Sequence, residues 1–122
     1  MIKAKHFRDL LVWQKAHNYT LLVYKETKKF PKEELYGLSN QVRRAAISIG
    51  SNIAEGYSRK NPREKRQFLY ISLSSLHETE SQLYLAKDLK YIKQTTFSKL
   101  NEKSIELSKL ITSWIKNLNA IS

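Results

Sequence analysis

Side chains able to ligate a metal or move a proton are sparse in this chain. Its 122 residues include three histidines and no cysteine, so disulfides, thiolate metal sites and cysteine nucleophiles are excluded. His6, His17 and His77 lie far apart in sequence. No Glu-x-x-His pair of the di-iron bundle type occurs. An HExxH helix, a P-loop lysine, a GxSxG elbow and a GxGxxG turn are missing as well. His77 directly precedes Glu78, and adjacent residues do not share a helix face. The sequence offers no catalytic constellation, no metal ligand set and no cofactor motif. The expectation is a protein that is not an enzyme.

Positive charge is what the chain has in excess. Lys and Arg number 22 against 11 Asp and Glu, a formal net charge of +11. Such an excess attracts polyanions, and cations of this density neutralise several phosphates with an affinity that depends on salt and not on base sequence. The cations are also clustered. Lys3, Lys5 and Arg8 open the chain, and Arg59, Lys60, Arg63, Lys65 and Arg66 surround the middle. These eight are the candidate contacts to RNA or DNA. A further group comprises Lys25, Lys28, Lys29, Lys32, Lys90 and Lys93. No helix-turn-helix, zinc-finger, RRM or KH pattern accompanies them, so specific base readout is not implied. Tyr57 and Tyr70 stand near the middle cluster, where a tyrosine either stacks on an unpaired base or packs within the protein.

A second set of polar residues follows helical spacing. Glu78 and Gln82, with Ser75, fall on an apolar seam between Phe68/Ile71 and Leu85/Leu89. A carboxylate buried there needs a paired charge or several hydrogen bonds. Arg43, Arg44 and Asn52 on the preceding segment are available partners, and Glu55 continues their polar edge. This set is expected to form either a polar network that fixes helix register or a subunit contact.

The elements that must position these residues are helices. Only 3 Gly and 2 Pro interrupt a chain that is 41% hydrophobic, which suits long helices and disfavours a turn-rich β fold. Spacings of three and four residues predict helices over about 10–29, 34–57, 62–90 and 96–119. Asp9, Asn61 and Thr96 are the expected N-caps, with Pro62 at the first helical position. The expected seams are Trp13, Ala16, Thr20, Val23, Thr27 and Phe30; Leu35, Leu38, Val42, Ala45, Ile49 and Ile53; Phe68 through Ile92 as above; and Phe97, Leu100, Ser104, Leu107, Ile111, Trp114, Leu118 and Ile121. Gly50 implies a bend or a close backbone approach, and Gly56 lies near a helix stop.

Short connections predict one all-α domain over 1–122, a left-handed antiparallel up-down-up-down four-helix bundle. That topology gathers the first eight cations at one end, the near end, and the second lysine group at the far end. Leu11, Val12, Tyr19 and Leu22, and Leu69, Leu76, Leu83 and Tyr84, form an additional apolar stripe. It reads equally as a self-association surface or as a wider core face. A secretory signal and a bilayer-spanning segment are not evident, so the cytoplasm is expected and a membrane partner is not.

At this point particular blocks become recognisable. The stretch Phe7-Arg8-Asp9-Leu10-Leu11-Val12-Trp13-Gln14-Lys15-Ala16 resembles the opening of the bacterial four helix bundle protein family, also called the 23S rRNA-intervening-sequence proteins. Phe30-Pro31, Glu34-Leu35-Tyr36-Gly37-Leu38 and Gln41-Val42-Arg43-Arg44-Ala45-Ala46 continue the resemblance. It is strongest in Ser48-Ile49-Gly50-Ser51-Asn52-Ile53-Ala54-Glu55-Gly56. Phe68-Leu69, Glu78-Thr79-Glu80-Ser81-Gln82-Leu83 and Tyr91-Ile92 extend it over most of the chain. The chain departs from the family pattern at Gly50, where relatives often carry proline, and at Ser72, Ser74 and Ser75. The resemblance implies a four-helix bundle assembled as a homopentamer, and a likeness to the accessory variability determinant of diversity-generating retroelements. That protein is a basic pentameric bundle that binds nucleic acid and a reverse transcriptase. Self-association, RNA or DNA, and a reverse transcriptase or other protein are therefore the implied partners. Arg43, Arg44, Asn52, Glu55 and Glu78 match patterned family positions, and no catalytic role travels with them.

Overall fold

The structure is a computed structural model that describes residues 5–121. Four helices account for most of it: α1 (Leu11–Thr27), α2 (Leu38–Ser58), α3 (Pro62–Asp88) and α4 (Gln94–Ile121). Short 3-10 turns over Phe7–Asp9 and Lys32–Glu34 precede α1 and α2. Each helix packs on its sequence neighbours and α4 closes against α1. This is the antiparallel four-helix bundle that the apolar spacing predicts. Lys3 lies outside the described residues.

The helix ends differ from the expectation in three places. Asp9 does not cap α1; its carboxylate accepts from the Lys5 and His6 amides at 3.1 Å and closes the first 3-10 turn. Thr96 sits inside the first turn of α4, because the Phe97 N–H already donates to the Lys93 carbonyl at 2.9 Å. α2 starts at Leu38, later than expected, and Leu35 is exposed. A 3-10 turn takes up residues 32–34, and the Glu34 carboxylate accepts from the Leu38 N–H at 3.3 Å, satisfying one orphan donor of α2. By contrast Asn61 caps α3 as expected, its side chain accepting from the Arg63 N–H at 2.8 Å with Pro62 next.

The core runs along the bundle axis and follows three of the four seams, except that Leu35 is exposed and Trp13, Thr20 and Trp114 are half-buried, with Ile115 buried beside Trp114. The side chain of Ile121 lies outside the described residues. Ala16, Val23, Thr27 and Phe30 of the first seam are buried, as are Val42, Ile49 and Ile53 of the second and Leu100, Leu107 and Ile111 of the fourth. The third seam is corrected by one position over most of its length, although its Ser75 and Ile92 are buried as expected. Leu69, Ser72, Leu76, Thr79, Leu83 and Ala86 face the core, whereas Ile71, Leu85 and Leu89 are about half exposed. Glu78 is exposed and Gln82 only half-buried, so no buried carboxylate exists there to be compensated. The additional stripe is likewise divided. Val12, Tyr19, Leu69, Leu76 and Leu83 belong to a wide core face, while Leu11 and Tyr84 remain exposed.

Small hydroxyl residues make the close α2–α3 packing possible. The Ser72 hydroxyl donates to the Ile49 carbonyl at 2.8 Å, and Thr79 donates to the Ser75 carbonyl at 2.8 Å. Each satisfies itself on backbone, so burial costs little. Gly56 is the glycine of close approach, since an added Cβ would lie 3.3 Å from the Lys65 carbonyl and 3.4 Å from Phe68. Gly50 does not have that role. A Cβ there would meet Trp13 and Ala16 at 3.7–3.9 Å, ordinary contact, and α2 passes through it unbroken.

Candidate nucleic-acid interface

At the near end the cations of the α2–α3 loop divide into two kinds. Lys65 donates to the Tyr57 carbonyl at 2.9 Å and the Gly56 carbonyl at 3.3 Å, capping the end of α2. Burial lowers its pKa. Arg66 donates to the Leu118 carbonyl at 3.2 Å near the end of α4. Arg59 pairs with Glu55 at 3.2 Å while its guanidinium lies 4.7 Å from the Phe68 ring. Lys60 and Arg63 are exposed, with no acidic partner within 4 Å among the described residues. Lys5 and Arg8 are exposed beside the first 3-10 turn, where Arg8 Nε donates to His6 Nδ1 at 3.4 Å. Lys5, Arg8, Lys60 and Arg63 therefore present open charge, and Lys65 and Arg66 serve helix ends.

The other polar candidates are dispersed. Arg43 donates to Thr27 Oγ1 at 2.7 Å and stacks 4.8 Å over Tyr24, tying α2 to α1. Asn52 donates to the Ser48 carbonyl and hydroxyl at 2.8 and 3.0 Å, and Ser75 reaches Ser48 Oγ at 2.8 Å. Gln82 approaches Glu78 at 3.5 Å. Arg44 and Glu78 line an open polar groove of about 420 Å³ between α2 and α3, with Tyr36, Gln41 and Ser75. The histidines do not converge. His6 caps the first 3-10 turn, His17 stacks on Trp13 at 4.7 Å, and His77 meets Glu80 at 3.0 Å. Among the described residues no three His, Asp or Glu could hold a metal ion together. No helix is long and apolar enough to cross a membrane.

The far end carries a feature that the sequence does not announce. The Tyr91 hydroxyl donates to Glu34 at 3.0 Å, joining the α1–α2 and α3–α4 connections. This hydrogen bond raises the Tyr91 pKa. Gly37 lies beside this junction, where a Cβ would come 2.8 Å from Glu34 Oε1 and push that carboxylate aside. Around this junction opens a cleft of about 850 Å³ whose lining includes Lys29, Lys87, Lys90 and Lys93. Sequence reasoning gathers most of these lysines at one end. It misses Lys87 and the cleft, whose lining joins residues of α1 with the end of α3 and the start of α4.

Comparison with known proteins agrees with the blocks quoted from the sequence. A crystal structure at 1.70 Å of a protein of unknown function from the S23 ribosomal protein family of Bacteroides thetaiotaomicron VPI-5482 superposes with a TM-score of 0.78. It is 28% identical, and the match covers 87% of this chain and 99% of that one. No curated protein matches the chain. A family model described as 23S rRNA-intervening sequence protein matches residues 8–113. The chain, a four-helix bundle over most of that span, belongs to the 23S rRNA-intervening sequence protein family.

Proposed function

We propose that this protein is a non-enzymatic, homo-oligomeric module that binds RNA or other nucleic acid through the cations at its bundle ends. The observation that carries the reading is stoichiometric: 11 acidic residues cannot neutralise 22 cations. The ion pairs that do form take up Lys15, Lys29, Arg59 and Lys87. Lys5, Lys60 and Arg63 at one end, and Lys28, Lys32, Lys90 and Lys93 at the other, stay exposed. Charge so displayed binds phosphates by counterion release.

Self-association is the second component, and the face for it is α3. Ile71, Leu85 and Leu89 keep about half their surface in a single chain, in line with the polar residues Glu78 and Gln82. Arg44 and Glu78, opposite in charge and open in one groove, give that face a polar centre. A second copy of the chain would cover the stripe, and a pentamer is the assembly that the family resemblance implies.

A protein-interaction scaffold, with a reverse transcriptase or another protein as partner, is the competing reading, and the same exposed stripe favours it. Affinity capture from a bacterial lysate, with and without nuclease, separates the two. Partners released by nuclease support the nucleic-acid reading. Partners retained after nuclease, with no RNA recovered from the untreated sample, overturn it.

A further inference from the structure

We propose that the far-end cleft is a polyphosphate-binding site and a phosphate contact of the module. This assignment rests on the nucleic-acid reading above but locates it at the end opposite the eight cations that the sequence singles out.

Three observations support it. First, the cleft concentrates charge within a concave wall. Lys29, Lys87, Lys90 and Lys93 line it, against Glu26 and Asp88. Glu26 pairs with Lys29 at 3.3 Å and Asp88 approaches Lys87 at 3.8 Å. Lys90 and Lys93 have no acidic partner within 4 Å among the described residues, and both are exposed. The near-end cations, by comparison, are drawn partly into helix capping. Concave charge over a low-dielectric wall focuses the potential more than the same charge on a convex tip.

Second, Lys90 occupies a conformation that disfavours it. Its φ is 66°, in the left-handed region. There it closes α3, with the Tyr91 N–H donating to the Ala86 carbonyl at 2.9 Å. Glycine is the usual residue at such a helix end. A lysine held there against backbone preference places its charge on the cleft lining.

Third, the Lys87 ammonium is held in place, 4.7 Å from the Phe97 ring centroid and 5.1 Å from that of Tyr84. It is a fixed charge on the wall, unlike a free surface lysine. The first turn of α4, with Gln94 and Thr96 on the lining, adds backbone donors. Those donors supplement the lysines and would not define a site alone. The volume accommodates several linked phosphoryl groups, which an RNA backbone or a free polyphosphate equally supplies.

Calorimetric titration with sodium tripolyphosphate tests the site, using the intact chain and two charge-matched double variants. Lys90→Gly/Lys93→Gln should weaken binding about tenfold or more. Lys103→Gln/Lys109→Gln, exposed on α4 away from the cleft, should change it less than about twofold. Lys90→Gly alone should melt no lower than the parent, which excludes misfolding as the cause. A parent that does not bind tripolyphosphate, or equal losses in both double variants, overturns the site.

A labelled single-stranded RNA then separates the two phosphate sources. Competition between RNA and tripolyphosphate assigns the cleft to RNA, and the far-end variant should lose about 1.4 from the salt slope, roughly 0.7 per contact. Tripolyphosphate bound without RNA competition keeps the cleft as a free-polyphosphate site and overturns its role as the RNA contact. RNA binding that falls in Lys60→Gln/Arg63→Gln but not in the far-end variant overturns the cleft and leaves the nucleic-acid reading standing.

Discussion

Replacing Ile71, Leu85 and Leu89 together with glutamine isolates what the exposed α3 stripe does. In the single chain these residues are 48%, 51% and 47% exposed, so each has about half its surface left to bury. Full burial of a leucine or isoleucine is worth about 1.5–3 kcal/mol. The three together therefore offer about 2–4 kcal/mol per contact between copies. Losing that amount raises the dissociation constant by about 30- to 700-fold. Glutamine has nearly the helix propensity of leucine, and exposed positions tolerate exchange within about 0.5 kcal/mol. The fold of the single chain should hardly change. Sedimentation velocity from 1 to 100 µM, beside a far-UV circular-dichroism melt, reads both quantities. The parent should sediment as a multiple of the 14.3 kDa chain mass, and the triple variant as a single chain with unchanged helix content. A parent that stays at 14.3 kDa throughout, or a triple variant that keeps the oligomer, refutes the assignment of this face.

Further outcomes follow from single contacts. Asn61→Ala removes the acceptor of the Arg63 N–H and should cost about 1 kcal/mol in urea denaturation. Gly50→Ala should stabilise by about 0.5–1 kcal/mol, because the methyl meets Trp13 at ordinary contact distance. Gly56→Ala, against the Lys65 carbonyl at 3.3 Å, should destabilise, and the two opposite shifts in urea midpoint check the packing. The buried hydroxyls of Tyr19 and Ser104 are neighbours, yet neither has a hydrogen-bond partner among the described residues. Tyr19→Phe should accordingly leave stability unchanged or raise it by up to about 1 kcal/mol. Burial raises the Tyr19 pKa, and the Glu34 hydrogen bond raises that of Tyr91. A raised folded-state value gives stability that is full below the unfolded value near 10 and is lost as pH climbs through the folded one. Urea midpoints should fall as pH climbs above about 10, and Tyr19→Phe/Tyr91→Phe should flatten the fall; an equal fall in that variant would refute the assignment.

Much of the fold was legible because long apolar spacings and a strong cap leave little choice. Asn61-Pro62 fixed the start of α3, and Val42, Ile49 and Ile53 fixed the inner face of α2. The register of α3 was not legible from periodicity. Two parallel stripes, one through Ile71, Glu78 and Leu85 and one through Leu69, Leu76 and Leu83, have the same three-four spacing. The structure buries the second, because Ser72 and Thr79 can bond backbone carbonyls in a tight α2–α3 contact. An exposed Glu78 is the consequence. The seven-residue spacing of Leu69, Leu76 and Leu83 was the available signal, and the two polar residues within the other stripe were its counterpart. The sequence places lysines at both ends, but it does not show which are consumed. Lys65 and Arg66 resemble open cations in sequence, and only the helix ends beside them reveal their capping contacts. Tyr91 on the lining of the far-end cleft is tied to Glu34, which local pattern does not join.

Binding of a labelled single-stranded RNA to the intact protein, measured by anisotropy from 50 to 300 mM KCl, tests the central claim most directly. The expected result is measurable affinity at low salt and a linear fall of log K against log salt. A slope of about −3 or steeper corresponds to four or more phosphates neutralised. No binding at 50 mM, or a slope near zero, would contradict a nucleic-acid role for these basic ends.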